Sequence, residues 1–359
     1  MNRQERKIRG SGDITIRDVA RKLGVSVSTV SRALSNHRHV REQTKLRVRS
    51  TAREMGYIPN AAAQTIQRTH SVLVGFIVPD IQNEFYATVA NIVSARLAEE
   101  SFQMVLAITD DRPEVEVHHV RALRQARAAA IAVTLCASPL PETIELLRQT
   151  DVIQFARRDP DLACPALLIA EDAATTAATR HLIELGHRDI AFIGGPTSLS
   201  TGHSRLTGYR DALMLASIAP SPDLIALGPP RASFGRAAML RFAETRPRPT
   251  AILISGYELT LGVVQAAFDA GLKFPEDISL IGYGDAGWSR LVGRGLTMIA
   301  LPVEGMAHSM ADLILRRVRN PDAAFGGDPG DSRPVILFAS RLTVRGSTGR
   351  PAQTPTVAS

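Results

Sequence analysis

Between Ile14 and Leu34 the apolar positions recur at helical spacing. Ile16, Val19, Ala20 and Leu23 fall at i, i+3, i+4 and i+7, one stripe of a helix. Thr15 precedes the stripe as an N-cap, and Asp18 puts negative charge in the first turn. Gly24 follows Leu23, where a left-handed residue commonly ends a helix. Ser26 then caps a second short helix, with Val27, Val30 and Leu34 on its apolar face and Ser28, Thr29, Ser31 and Arg32 on its other sides. Helices this short bury too little surface alone. The stretch Gln43 to Met55 supplies a third, with Val48, Ala52 and Met55 in phase and Gly56 as its stop. Three short helices with a small polar second one predict a helix-turn-helix DNA reader over residues 13–58.

The pattern changes after this. Residues 1–12 have no apolar periodicity and read as a flexible arm. Pro59 breaks any helix continuing from the third, and residues 59–70 form either a short alanine-rich helix or a plain linker. From Ser71 onward, VLVGFIV, QMVLAIT, AAIAVTL and VIQFA are continuous apolar runs separated by amphipathic helix lengths, and IAFIGG, LIALG, AILIS and ISLIGYG repeat the arrangement. Unbroken apolar strands alternating with helices predict parallel sheets covered on both faces. Two such series predict an α/β core of two doubly wound lobes over residues 71–345. The tail, residues 346–359, is polar and Pro-rich, without heptads for a tetramer-forming helix, and reads as disordered.

Composition sharpens this division. At 359 residues the chain holds two or three domains. Residues 1–70 carry 15 Lys/Arg against 5 Asp/Glu, while the remainder carries 27 against 30. Positive charge confined to the helix-turn-helix end is the electrostatic footprint of nucleic-acid binding. No apolar run reaches the length of a membrane span, and MNRQERKIRGSGD lacks the apolar core of a secretory signal. Cys136 and Cys164 form neither a metal spacing nor a disulfide framework, which fits a reducing cytoplasm. Catalytic motifs are missing too. Gly282-x-Gly284 lacks the rest of a dinucleotide fingerprint, there is no GxSxG, HExxH or P-loop, and His118-His119 and Asp110-Asp111 read as solvated surface. No enzyme, cofactor or metal is expected.

DVARKLGVSVSTVSRAL followed by VREQTKLRVRSTAREMGYIPNAAAQTI resembles the LacI/GalR family of bacterial transcription regulators, and the resemblance runs to about Arg345. It implies a periplasmic-binding-protein-like core of two Rossmann-like lobes, with lobe 1 over about 71–157 and 301–330 and lobe 2 over about 165–300 and 331–345. It also implies a homodimer on a palindromic double-stranded operator, most simply as a repressor, with no membrane partner. On that model residues 59–70 are a hinge helix ordered in the operator minor groove. Ala63 and Ile66 face the groove there, Ile66 stands where the family has an intercalating leucine, and Gln67 donates to base edges.

The second helix should present its start to the major groove. Val27 and Ser28 occupy the positions that set operator choice in the resembled family, although core packing is an alternative for Val27. Arg32 suits a bidentate contact to guanine. Ser26, Thr29 and Ser31, with Thr15, suit phosphates or simple capping. His39, Tyr57 and Asn60 match family positions near the DNA backbone. A small-molecule effector, a sugar, sugar acid or related hydroxy acid, is expected between the lobes at the strand ends. Its candidate contacts are Asp80, Asn83, Phe85, Arg157, Thr201, Arg205, Tyr257, Asp285 and Trp288, the last a stacking platform or an interlobe packing group. Family members carry an aspartate where this chain has Gly284. The expectation is that Arg205 lacks a neighbouring carboxylate and so favours an acid. A solute-binding protein and an α/β enzyme are the rival readings.

Overall fold

The computed structural model describes residues 14–34, 37, 39–57, 72–245, 248–319 and 334–351. The chain divides into two compact units, one ending at Ser71 and the other starting at Val72.

In the first unit, α1 (Ile16–Leu23), α2 (Val27–Leu34) and α3 (Glu42–Glu54) enclose a core of Val19, Ala20, Val30, Ala33, Val48 and Ala52. The start of α1 is closed by Asp18, whose Oδ2 accepts from the Thr15 amide at 3.0 Å and the Thr15 hydroxyl at 2.6 Å. Gly24 ends it in the left-handed conformation at φ 66°. One position departs from the helical stripe. Val27 is 41% exposed rather than part of the core, which Val30 and Ala33 of the same helix fill.

The second unit begins with β1 (Leu73–Val78), α4 (Glu84–Glu99), β2 (Gln103–Ile108), α5 (Pro113–Gln125), β3 (Ala130–Val133), α6 (Pro141–Arg148), β4 (Val152–Phe155) and β5 (Ala166–Ile169). It continues through α7 (Glu171–Glu184), β6 (Ile190–Gly194), α8 (Ser200–Leu215), β7 (Ile225–Leu227), α9 (Ala232–Glu244), β8 (Ala251–Ile254), α10 (Tyr257–Asp269) and β9 (Ser279–Tyr283). Then follow β10 (Thr297–Ala300), α11 (Val303–Arg319), β11 (Val335–Phe338) and β12 (Arg341–Thr343).

The strands form two sheets, in the orders β11-β5-β4-β3-β1-β2 and β12-β10-β9-β8-β6-β7. All pairs are parallel except β10 with β12. Strands β3, β4, β6, β8 and β9 are buried along their whole length, as sheets covered on both faces require. In lobe 1, α4 and α11 pack on one face of the sheet and α5 and α6 on the other. In lobe 2, α7 and α8 cover one face and α9 and α10 the opposite one. The chain passes between lobes at 170, 301–302 and 339–340.

Two expectations are corrected. Residues 165–170 and 334–338 belong to lobe 1, since β5 pairs with β4 (Phe155 opposite Leu167) and β11 pairs with β5 (Val335 opposite Ala166). A four-residue apolar run does not encode which sheet it joins, and VILFASRLTV proves to be split between the two. The polar tail is also partly built in. Ser347 Oγ donates to the Leu280 carbonyl and accepts from the Thr297 amide, each at 2.7 Å, and the Gly349 amide donates to Ser279 Oγ at 3.0 Å. Residues 346–351 thus add backbone and hydroxyl partners to the end of lobe 2. The arm, residues 1–12, and the remaining tail lie outside the described residues.

Candidate functional site

The exposed start of α2 in the first unit carries the predicted base readers. Val27, Ser28 and Arg32 are exposed, and Thr29 and Ser31 are half-buried beside them. Ser26 is the hub of a hydroxyl network. Its Oγ accepts from the Thr29 amide at 3.1 Å and lies 2.8 Å from both Ser28 Oγ and Thr29 Oγ1. A hydroxyl has one proton and two lone pairs, so Ser26 is saturated as a cap and holds Ser28 and Thr29 in place. Thr15 is similarly occupied at the start of α1. Tyr57 is half-buried against the core, and His39 is exposed with its ring centroid 5.3 Å from that of His37. Asn60, Ala63, Ile66 and Gln67 lie outside the described residues.

In the second unit a cavity of about 950 Å³ separates the lobes at the carboxyl ends of β1, β4, β6, β8 and β9. Asp80, Asn83, Phe85, Arg157, Thr201, Arg205, Tyr257 and Asp285 all line it. Hence the topology brings eight of the nine predicted effector residues together. Trp288 is the exception. It packs on the apolar face of lobe 2, and its Nε1 donates to the Oη of the lining residue Tyr257 at 3.4 Å. Phe85 lines the wall but is largely committed to the core, stacked on Phe155 with ring centroids 5.6 Å apart. Asn83 Oδ1 caps α4 by accepting from the Phe85 amide at 3.1 Å, which leaves its amide group as a donor.

The charges are arranged otherwise than expected. Arg205 does have a carboxylate beside it. Its Nε and Nη2 donate to the two oxygens of Glu171 at 2.9 and 2.6 Å, Nη2 also reaches Tyr283 Oη at 2.7 Å, and Nη1 donates to the Ser255 carbonyl at 2.8 Å. Tyr283 Oη in turn donates to Glu171 Oε2 at 2.6 Å. Glu171 follows directly on the crossing at residue 170, far from Gly284 in sequence, so the local motif gave no sign of it. The arginine depends on α8 lying close to the loop after β6. A Cβ on Gly202 would stand 2.2 Å from the Pro196 carbonyl oxygen, so only glycine fits that approach.

On the other wall Arg157 is bound by Asp111, with Nη1 on Oδ1 and Nη2 on Oδ2 at 3.2 Å, while Nη1 also donates to the Leu135 carbonyl at 2.9 Å. Asp111 is therefore not simply solvated surface, whereas Asp110 is exposed as expected; both line the cavity. They sit at φ 53° and 55°, and Ala156 beside Arg157 sits at φ 60°. Such left-handed non-glycine residues cost roughly 1–2 kcal/mol each and concentrate where surrounding structure fixes a functional geometry.

Asp285 lines the cavity, but its carboxylate is already engaged within lobe 2. Arg345 Nη2 at 2.6 Å and Ser289 Oγ at 2.9 Å hold it, and although burial raises its pKa, these hydrogen bonds prevail and bring it below the usual carboxylate value. Gly284 before it has φ 80°, a conformation that favours glycine. Burial, together with the charge of Asp80 across the cleft, raises the Glu258 carboxyl. Among the described residues, the Arg158 amide donates to Ser200 Oγ at 3.2 Å and Tyr257 Oη donates to Glu84 Oε2 at 3.5 Å, both across the lobes.

A three-helix DNA reader and a two-lobed core with a polar cleft define a ligand-responsive DNA-binding regulator. Comparison with known proteins agrees. Residues 15–60 match the model of bacterial regulatory proteins of the lacI family, and residues 179–348 match a periplasmic binding protein-like domain. The chain is 31% identical over 308 residues to the HTH-type transcriptional repressor PurR of Edwardsiella ictaluri, covering 85% of this chain and 90% of that one. It is 30% identical over 335 residues to the repressor CytR of Escherichia coli, covering 93% and 96%. Among solved structures, the transcriptional regulator CelR–cellobiose complex superposes with a TM-score of 0.68 at 25% identity, covering 93% of this chain and all (100%) of that one. The chain belongs to the LacI family of bacterial transcription regulators. It is a sequence-specific DNA-binding regulator among repressors, and not an enzyme. No helix among the described residues is long and apolar enough to cross a membrane.

Proposed function

We propose that the chain acts as a cytoplasmic, nucleoid-associated homodimeric repressor on a palindromic operator. An uncharged polyhydroxylated effector in the interlobe cavity sets its affinity for DNA. Arg32 reads a guanine, Val27 and Ser28 tune the neighbouring positions, and the hydroxyls of Thr29 and Ser31 lie against phosphates, with Ser26 holding Ser28 and Thr29 in place. His39 and Tyr57 approach the DNA backbone, with Thr15 at the neighbouring helix start. Asn60, Ala63, Ile66 and Gln67 act at the minor groove. The effector binds one lobe arrangement better than the other and moves operator affinity by the same coupling energy.

The observation that carries the effector's class is the charge of the cavity lining, where eight Asp and Glu residues stand against four arginines. The two less exposed arginines, Arg157 and Arg205, are already paired with carboxylates, while Arg231 and Arg341 are exposed. A cation already paired with a carboxylate has little attraction left for an acid. Asp111, Glu258 and Asp80, by contrast, offer acceptors to ligand hydroxyls. The relative bound to cellobiose supports the same class. The test is calorimetric titration with matched pairs, such as D-galactose with D-galacturonate and D-glucose with D-gluconate. The neutral member of the binding pair is expected to bind at least tenfold tighter. An acid that binds more tightly than its neutral counterpart overturns the reading.

A further inference from the structure

We infer that Asp111 is the fixed anchor of the effector site, accepting a ligand hydroxyl from the wall of lobe 1. The inference rests on the reading that the cleft holds a polyhydroxylated effector. It assigns the anchoring contact to a residue at the end of β2, where the sequence showed only an acidic loop.

The backbone builds the position. The Asp110 amide donates to the Pro79 carbonyl at 3.0 Å, tying the ends of β1 and β2 together, and the Asp111 amide reaches Thr109 Oγ1 at 3.3 Å. Two consecutive left-handed residues then turn the chain so that the Asp111 carboxylate meets Arg157 at the end of β4. Arg157 is itself anchored on the Leu135 carbonyl beyond β3. Three strand ends thus fix a single carboxylate.

What separates Asp111 from Glu171 and Asp285, the other cavity acids bonded to an arginine, is that it is fixed and still open. A carboxylate has about four lone-pair sites. Arg157 occupies two on Asp111, and the aspartate side chain remains 30% exposed. Glu171 takes two bonds from Arg205 and one from Tyr283, and its side chain is 4% exposed. Asp285 is shielded by Arg345 and Ser289. An acceptor held in advance loses little freedom when a ligand arrives, so more of its hydrogen-bond energy appears as affinity. Because Arg157 neutralises the charge, the group suits a hydroxyl better than an ammonium.

The full-length protein is screened by thermal shift against cellobiose, D-glucose, D-galactose and D-ribose, and the sugar that raises Tm is retested in singly deoxygenated forms. Asp111→Asn is expected to weaken that sugar roughly 10- to 100-fold, the range for a hydrogen bond to a charged group. One deoxy analogue, poor for the wild type, should bind the variant as well as the parent sugar does. That loss of discrimination at one hydroxyl is not produced by a merely structural role. If Asp111→Asn fails to fold, Asp111→Glu keeps a carboxylate for Arg157 while displacing its oxygens, and the same loss of discrimination is expected. If the variants bind the sugar as tightly as the wild type, or discriminate every analogue as it does, the inference is overturned and the effector reading stands. If no sugar raises the wild-type Tm, the effector reading itself falls and this inference with it.

Discussion

Each lobe buries an arginine at the rim of its sheet, pairs it with a carboxylate through both oxygens, and roots it on a backbone carbonyl. Arg157 uses Asp111 and Leu135; Arg205 uses Glu171 and Ser255. The likeness ends at the carboxylates. Glu171 is sealed by the Tyr283 hydroxyl, with the tyrosine ring 4.0 Å from the Arg205 guanidinium carbon. Among the described residues no hydroxyl is seen donating to Asp111, whose side chain stays 30% exposed. The same ion pair is therefore a structural joint in lobe 2 and a half-open acceptor in lobe 1. An arginine lining a ligand cavity need not be there to attract anions.

The largest effect expected to follow from this difference is on stability. Arg205→Met leaves Glu171 and Tyr283 buried without their cation, a type of loss that costs about 3–5 kcal/mol. Arg157→Met is expected to cost less, about 1–3 kcal/mol, because Asp111 can take up water from the cavity. Urea denaturation of both variants measures the gap. Equal costs would mean that the two pairs are equivalent, and the distinction between joint and acceptor would fail. Arg205 is consequently a poor choice for removing effector response without disturbing the fold.

Much of this was legible in the sequence, and the exceptions have physical causes. Helical spacing gave α1 to α3, and apolar runs gave most strands, because both report a periodic local burial. Eight predicted effector residues meet in one cavity because they sit at strand ends or in the first two turns of the helices that follow, where a doubly wound sheet opens its crevice. The missed features are all long-range. Glu171 and Arg205 are 34 residues apart, Asp111 and Arg157 46, and Asp285 and Arg345 60. A charge that will be neutralised across the fold looks, in sequence, the same as a free one. Ser347 and Gly349 hold polar strand ends, a task that leaves no apolar signature.

A smaller effect is expected at Gly284, on the lobe 2 side. Gly284→Asp must adopt φ 80° with its Cβ 3.3 Å from Tyr257 Cδ2. The left-handed backbone alone costs roughly 1–2 kcal/mol. The variant is expected to lose that stability in urea and to weaken neutral and acidic ligands alike by displacing Tyr257. A selective loss of acids would instead restore Arg205 as an anion clamp and undo the contrast between the lobes.

The smallest effect is a difference in pH response. Lobe 1 buries Glu116 on α5, where desolvation raises the carboxyl above its usual range despite a 2.7 Å hydrogen bond from the Cys136 amide. Lobe 2 buries His187, whose Nε2 faces the Gly349 carbonyl at 2.8 Å and therefore carries the proton, while Nδ1 accepts from Thr250 Oγ1 at 2.9 Å. Burial lowers its pKa and that of the neighbouring His181. For Glu116 the folded state binds more protons than the unfolded one above about pH 4.5, so its contribution falls as pH rises through the folded pKa. For His187 the unfolded state binds more protons near pH 6.5, so stability falls as pH drops below that value and through the folded pKa. Opposite slopes follow, one from each lobe. Relative to wild type, Glu116→Gln should gain stability progressively as pH rises above about 4.5. The deficit of His187→Asn should shrink as pH falls below about 6.5. Urea midpoints at a series of pH values separate the two, and slopes of the same sign would show that one of these groups is not buried in the protonation state its surroundings require.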